Sequence, residues 1–466
     1  MEHSALTNAN DTICAISTPA GVGGIAVCRI SGPNAISIAD SIWHGRKLSD
    51  TDSHTAHLGE VIDSLGQPLD QAVATTFRSP RSFTGEDVVE IAVHGSRFVQ
   101  RELLNALISA GARLAEPGEF TRRAFASGRF DLAEAEAVAD VIASESRAAH
   151  RIALNQMKGG FSRRLLELRQ SLVELVSLME LELDFSEEDV EFASREKLTL
   201  LAQEILAEVS RLHNSFAAGT AIKDGIPVAI VGDTNAGKSS LLNLILGDDR
   251  AIVSDIHGTT RDTIEETIDI GDYRFRFIDT AGLRHTDDRI EQIGISRSID
   301  ALNRASIILM VSDVTQPFNA ELIDRLTQLP QQVALVAILN KIDLSTADDI
   351  AQRTQQLPAR FTTLPLCALS HAADNQLEAL RNALVNIADC EAGTTDILVT
   401  NARHAEALGL ARESLQRVLH GLENGISGDF VSQDIRETLH HLATITGEIP
   451  STEILSTIFS RFCIGK

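Results

Sequence analysis

The chain has 466 residues, 44% hydrophobic and 23% charged, with a formal net charge of −24 at pH 7. That length predicts two to four domains in a soluble globular protein, and the acidic excess argues against coating nucleic acid by bulk electrostatics. Local basic clusters still act within a Debye length; Arg122 and Arg123 with Arg129, and Arg163 with Arg164, are the candidates, solvated helix faces being the plainer reading. The longest strictly apolar run, Val333 to Leu339, is too short for a membrane span. Residues Met1 to Ala5 lack the charged and apolar regions of a signal peptide. Five scattered cysteines (Cys14, Cys28, Cys367, Cys390 and Cys463) have no metal-ligand spacing and read as reduced thiols of a cytoplasmic protein.

Taken in chain order, residues 1–124 mix β-like stretches at Ile25 to Ile30 and Val88 to Val93 with a helical one at Phe98 to Ala110. Gly and Pro punctuate them, which predicts an α+β domain. From Asp131 a capping residue with early carboxylates opens a helical pattern, repeated at Leu165 to Leu183 and Leu198 to Phe216. The pattern breaks near Ala217 to Thr220 and returns after Gly393, at Ala405 to Leu422 and Phe430 to Leu442. Between them, short apolar strands alternate with amphipathic stretches, the signature of a mostly parallel sheet. The fold class expected is therefore multidomain, α/β and α. An α+β domain spans 1–124, a long-helix domain spans 125–222 and 387–466, and a Ras-like α/β domain is inserted at 223–386. Insertions of this kind succeed where the ends of the insert lie close together.

The insert carries the chemistry. A strand at Ile226 to Val231 runs into Gly232 to Ser239, a G-x-x-x-x-G-K-S loop, and then a helix from Ser240 to Leu246. Glycines let backbone N–H groups turn inward around phosphates, and the helix N-terminus adds a favourable dipole. Lys238 is expected to bridge the β- and γ-phosphates, and Ser239 to ligate magnesium. Asp279, Thr280, Ala281 and Gly282 follow a strand at Tyr273 to Ile278; the Asp279 carboxylate reaches magnesium through water, and the Gly282 N–H senses the γ-phosphate. Asn340, Lys341 and Asp343 follow Val333 to Leu339, and Asp343 can accept from guanine N1–H and the exocyclic amine, which adenine lacks. Cys367 to Ser370 stands where a backbone N–H would read guanine O6, with Cys in place of the usual Ser. A switch segment runs from Ser254 to Asp262, and Thr260 is its candidate second magnesium ligand. The guanine-nucleotide site thus comprises Asn235, Ala236, Gly237, Lys238, Ser239, Ser240, Ser254, Asp255, Ile256, His257, Gly258, Thr259, Thr260, Asp279, Thr280, Ala281, Gly282, Asn340, Lys341 and Asp343. The pattern implies a GTPase. Where many GTPases place a water-orienting Gln, this chain has Leu283. The orienting group must come from elsewhere, and Glu291 is a candidate whose alternative is an exposed helix carboxylate.

These motifs, with Arg29 to Gly32, Ser82 to Asp87, Pro117 to Phe120, Asp131 to Glu136 and the terminal Phe462 to Lys466, resemble the tRNA modification GTPases known as the MnmE or TrmE family over essentially the whole length. The resemblance implies a potassium-dependent GTPase in which potassium stands in for an arginine finger, held by Asn235, Ser254, Ile256 and Thr259, with Glu291 orienting the water. It implies an N-terminal domain that dimerises and binds 5-formyl-tetrahydrofolate through Arg29, Glu90, Arg129 and Lys466. Family members have Lys where this chain has Arg129, and a guanidinium fork is not an ammonium. Glu90 alone reads equally as a solvent-facing carboxylate. Cys463 is a candidate for chemistry on the base, with simple packing as its alternative. Expected partners are a second copy, a flavin-dependent subunit in a heterotetramer, and tRNA. The expected outcome is an aminomethyl-type group at carbon 5 of the wobble uridine. A switch GTPase for ribosome assembly lacks support, since no GXXG loop lies in a basic C-terminal setting; a free-standing folate aminomethyltransferase is opposed by the helical insert and the terminal Cys-Ile-Gly-Lys.

Overall fold

The computed structural model describes residues 11–184, 195–247, 266–278, 302–368, 374–393, 397–449 and 452–460, with 462 and 465. The chain divides into two compact units. One comprises 1–143, 153–209 and 407–466, the other 144–152 and 210–406.

The first unit holds a seven-stranded sheet built from β1 (Ile13–Ile16), β2 (Gly23–Ser31), β3 (Trp43–His44), β4 (Thr55–Ile62), β5 (Pro68–Phe77), β6 (Val88–Gly95) and β7 (Arg113–Leu114). Its order is β3-β4-β5-β6-β2-β1-β7, antiparallel throughout except for the β1–β7 pair. Period-2 alternation puts Val89, Ile91 and Val93 of β6 into one core with Cys28 and Ile30 of β2 and Leu103 and Leu107 of the helix Arg97–Ser109. The two cysteines in this core, Cys14 and Cys28, are free thiols; burial pushes Cys14 up to about 11 and Cys28 well above its ordinary value. Asp131 and Glu134 form a reciprocal capping box, each carboxylate accepting from the other residue's backbone N–H at 2.8 and 2.9 Å, and so open the helix Leu132–Ala143. Helices Gly160–Asp184 and Gly428–Thr446 pack on one another, and Arg164 links the former to Glu208 of helix Arg195–Asn214 at 2.6 Å.

The second unit is a six-stranded sheet of β8 (Ile226–Val231), β9 (Glu266–Ile270), β10 (Tyr273–Ile278), β11 (Ile307–Asp313), β12 (Ala334–Asn340) and β13 (Phe361–Pro365), in the order β13-β12-β11-β8-β10-β9. All neighbours are parallel except the β9–β10 hairpin. Both faces are buried: Ile307, Leu309 and Val311 of β11 join one core cluster, Ile308 and Met310 the other. That explains the near-continuous apolar runs in these strands. With β8, β11, β12 and β13 parallel, the loops leaving their C-terminal ends gather along one edge, the place where open α/β sheets bind ligands.

One expectation needs correction. Residues 217–220 are not a break but part of the helix Phe216–Asp224. Gly219 stands there because its backbone lies against Val399; a Cβ would fall 2.2 Å from the Val399 carbonyl oxygen. The positions 124/125, 222/223 and 386/387, where the sequence texture changes, lie within the helices Glu119–Ala126, Phe216–Asp224 and Asp374–Ala392. Texture changes where strand periodicity ends, whereas the helices there carry the chain onward. Among the described residues no helix is long and apolar enough to cross a membrane.

Candidate functional site

The phosphate loop leaves β8 and enters the helix Lys238–Gly247, whose first turn carries Lys238, Ser239 and Ser240. Asn235 sits at φ +62 and Gly237 at φ +102, two positive-φ positions within three residues of the loop. A Cβ on Gly237 would lie 2.1 Å from Asn340 Nδ2, so only glycine allows this approach. The Lys238 ammonium donates to the carbonyls of Gly232 and Asp233, each at 2.8 Å. Burial lowers its pKa, opposed by the Asp233 carboxylate. Asp233 is tied down, its Oδ1 accepting from Asn319 Nδ2 at 2.9 Å.

Asn340, at the end of β12, is 2% exposed and joins two loops. Its Nδ2 donates to the Ala236 carbonyl at 2.8 Å, and its Oδ1 accepts from the Ala368 N–H at 3.1 Å. The phosphate loop and the base loop are therefore held by one amide. Lys341, at φ +61, extends to Asp313 Oδ2 at 2.7 Å. Burial opposes ionisation of Asp313, but Lys341 and Thr315 outweigh it and lower its pKa. Asp343 lies exposed in the 3₁₀ turn Ile342–Leu344 and accepts from the Cys367 thiol at 3.0 Å. The Cys367 N–H donates to Gln376 Oε1 at 2.8 Å. The N–H groups of Cys367 and Ala368 are thus engaged within the protein, and Leu369 and Ser370, the rest of the segment expected to read guanine O6, lie outside the described residues.

In the first unit, Arg29 and Glu90 stand directly opposite in the β2–β6 register and pair at 2.8 Å. The Arg29 guanidinium lies 4.8 Å from the Phe83 ring centre and 5.6 Å from that of Phe120, within cation–π range. Phe83 meets Phe130 edge-on at 5.8 Å, next in sequence to the exposed Arg129. Gly465 reaches the same sheet: Ser17 Oγ, just past β1, donates to its carbonyl at 3.0 Å. Of the basic cluster Arg122, Arg123 and Arg129, Arg129 is exposed but Arg123 does not lie on a solvated face. Arg123 is 3% exposed and binds Asp11, Glu86 and Glu119; Arg113 also binds Glu119, and Arg122 pairs with Glu116. Burial alone would raise the Glu119 carboxyl, but Arg113, the Glu116 N–H and Arg123 hold it down to about 2.

A family profile described as the MnmE helical domain matches residues 132–463, and one described as the GTP-binding protein TrmE N-terminus matches 12–129. A tRNA modification GTPase MnmE of Parabacteroides distasonis is 48% identical, covering 98% of this chain and 100% of its own. That of Cytophaga hutchinsonii is 46% identical over the full length of both. The chain belongs to the MnmE family of tRNA modification GTPases. As a member of that family it is a GTP hydrolase, and its phosphate loop carries the G-x-x-x-x-G-K-S pattern from Gly232 to Ser239. The solved G domain of the T. maritima FeoB iron transporter covers 35% of this chain at 21% identity with a TM-score of 0.27, a likeness too slight to weigh beside the sequence matches.

Of the residues expected in the MnmE nucleotide site, Ser254, Asp255, Ile256, His257, Gly258, Thr259, Thr260, Asp279, Thr280, Ala281, Gly282 and Glu291 lie outside the described residues, as do Cys463 and Lys466. Asp313, Asn319 and Gln376 were missed. Asp313 had a signal, a carboxylate ending the apolar run of β11 where a parallel strand delivers its loop; Asn319 and Gln376 had none beyond being polar residues at helix starts.

Proposed function

We propose that this chain couples potassium-dependent GTP hydrolysis to modification of carbon 5 of the tRNA wobble uridine. A flavin-dependent partner takes part, and the one-carbon unit comes from 5-formyl-tetrahydrofolate. The observation that supports the reading best is the joint presence, in one chain of this family, of the Asn340-clamped phosphate loop and the Arg29–Glu90 pair beside aromatic rings.

In this reading the loop N–H groups and Lys238 receive the β- and γ-phosphates, and Asp343 selects guanine. The donor set fits hard cations: Ser239 and Thr260 would hold magnesium, and Asn235, exposed at the loop rim, would join Ser254, Ile256 and Thr259 around potassium. These ions would offset charge that develops on the transferring phosphoryl group. Glu291 would orient the attacking water, replacing the Gln absent at Leu283. Arg29, Glu90, Arg129 and Lys466 would bind the folate, and Cys463 is the candidate for chemistry on the base. The domains would divide at 124, 222 and 386, with the N-terminal one also forming a homodimer. An apolar row supports the dimer: Leu58, Val73, Ala92 and Val27 face one another across four strands, Leu58 is 74% exposed, and Ile25 and Val22 extend the patch. A cytoplasmic location follows from tRNA as substrate.

Mass analysis of wobble nucleosides from cells lacking the gene tests the reading; unmodified carbon 5 is expected, and unchanged modification would overturn it. GTP turnover in potassium is expected to exceed that in sodium, and equal rates would remove the potassium site.

A further inference from the structure

Between β5 and β6 the chain passes through residues 82–87, which form neither strand nor helix yet are fastened by polar side chains. Thr84 Oγ1 shares a hydrogen bond with Ser31 Oγ at 2.7 Å, and Ser31 Oγ donates to Glu86 Oε2 at 2.7 Å; Ser31 ends β2, two residues past Arg29. Ser127 Oγ, just past the helix Glu119–Ala126, donates to the Thr84 carbonyl at 2.7 Å, and Arg123 of that helix pairs with Glu86 at 3.2 Å. Ser82 Oγ closes the segment on itself by donating to the Glu86 carbonyl at 2.6 Å. Phe83 stands in the middle of this fastened stretch, half-buried, and its ring is thereby given a fixed place beside the Arg29 guanidinium.

Arg29 is only partly committed. Its Nε donates to Glu90, while among the described residues Nη1 and Nη2 make no hydrogen bond. One hydrogen bond fixes one atom and lets the guanidinium swing about it, so a second contact is needed to set where the Nη fork points. We propose that Phe83 is a positioning residue for folate binding: its ring holds the Arg29 guanidinium so that Nη1 and Nη2 are presented to an acceptor on the ligand. The inference rests on the reading of Arg29 as a folate contact. A planar fork gains from such restraint, because its two N–H bonds form only in one orientation. The Arg29 side chain is 17% exposed, so water screens the attraction between cation and ring only weakly. Phe83 also packs beside Ile13, Ala15 and Phe120, and a role in packing alone would depend on its shape and not on its ring electrons.

The test titrates the full-length protein with 5-formyl-tetrahydrofolate by calorimetry, with urea unfolding measured alongside. Phe83→Leu keeps apolar bulk but loses the ring, and is expected to weaken binding about two- to thirtyfold, the range for one cation–π contact. Phe83→pentafluorophenylalanine keeps the shape and withdraws electrons from the ring face. It is expected to weaken binding as much with the urea midpoint unchanged, and it keeps the idea testable if Phe83→Leu does not fold. Combined with Arg29→Gln, which removes the cation, neither change is expected to cost anything further. Parental affinity in Phe83→pentafluorophenylalanine, or a loss that persists in full beside Arg29→Gln, would overturn the proposal. Arg29→Gln alone separates the two layers. If it leaves folate affinity unchanged, the reading of Arg29 as a folate contact fails; if it weakens folate while the Phe83 variants bind like the parent, only the positioning role fails.

Discussion

The two sheets of this molecule build polar sites by opposite routes. In the parallel sheet of the second unit, strand ends deliver loops to one edge, and the working groups are backbone N–H donors and short motifs held by single side chains such as Asn340. In the antiparallel sheet of the first unit, polar side chains from distant parts of the chain meet through register and packing. Arg29 finds Glu90 across β2 and β6, and Glu119 finds Arg113 and Arg123 in a buried network. The first kind of site tolerates change in its surroundings and depends on a few residues. The second kind is tied to the stability of its own sheet.

The largest effect expected from this contrast is at Lys238. Lys238→Ala removes the one ammonium within the loop and is expected to lower GTP turnover about 10²- to 10³-fold, as loss of a transition-state donor does, while circular dichroism stays unchanged. Turnover within tenfold of the parent would break the contrast, because the loop would then not depend on its central side chain.

Next is Glu119, 2% exposed and paired with two arginines. Glu119→Gln leaves those guanidiniums short of a counter-charge and is expected to destabilise the first unit by about 3–5 kcal/mol, with hydrogen exchange accelerated in residues 113–126. GTP turnover per folded molecule should hold. The acid titration has a definite sign. The folded carboxyl sits near 2, below its ordinary 4.5; its stabilisation is complete above 4.5 and is lost as pH falls through about 2. Protection relative to the intrinsic exchange rate that does not fall between pH 5 and 3 would remove the network from the account.

The same contrast explains what could be read from the sequence. The loop from Gly232 to Ser239 was legible because its chemistry is contiguous and its strand and helix flank it directly. Strands β2, β6, β8, β10 and β12 were legible from apolar runs and alternation. The Arg29–Glu90 pair became visible only through register, since neither residue signals the other across 61 positions. Arg123 was misread as a surface charge because a run of arginines on a short helix carries no mark of the acids that bury it. The helix at Phe216–Asp224 was misread because Gly219 and Thr220 are weak helix formers locally, and the close approach to Val399 that favours glycine belongs to the tertiary fold.

The smallest effect expected is at Asn319, where one amide has two tasks. Its Oδ1 caps the helix Ala320–Thr327 by accepting from the Leu322 N–H at 3.1 Å, and its Nδ2 donates to Asp233 of the phosphate loop. Asn319→Ala loses both, costing about 1 kcal/mol for the cap and raising KM for GTP a few-fold as Asp233 loses its tether. Asn319→Asp separates them. An aspartate caps as well as asparagine, so stability is kept, but it sets a second carboxylate against Asp233 and cannot donate. If the loop depends on this tether, KM rises at least as much in Asn319→Asp as in Asn319→Ala while only the alanine variant unfolds earlier in urea. If KM instead follows stability, the loop is governed by the helix behind it, and the second unit is less different from the first than its backbone-built site suggests.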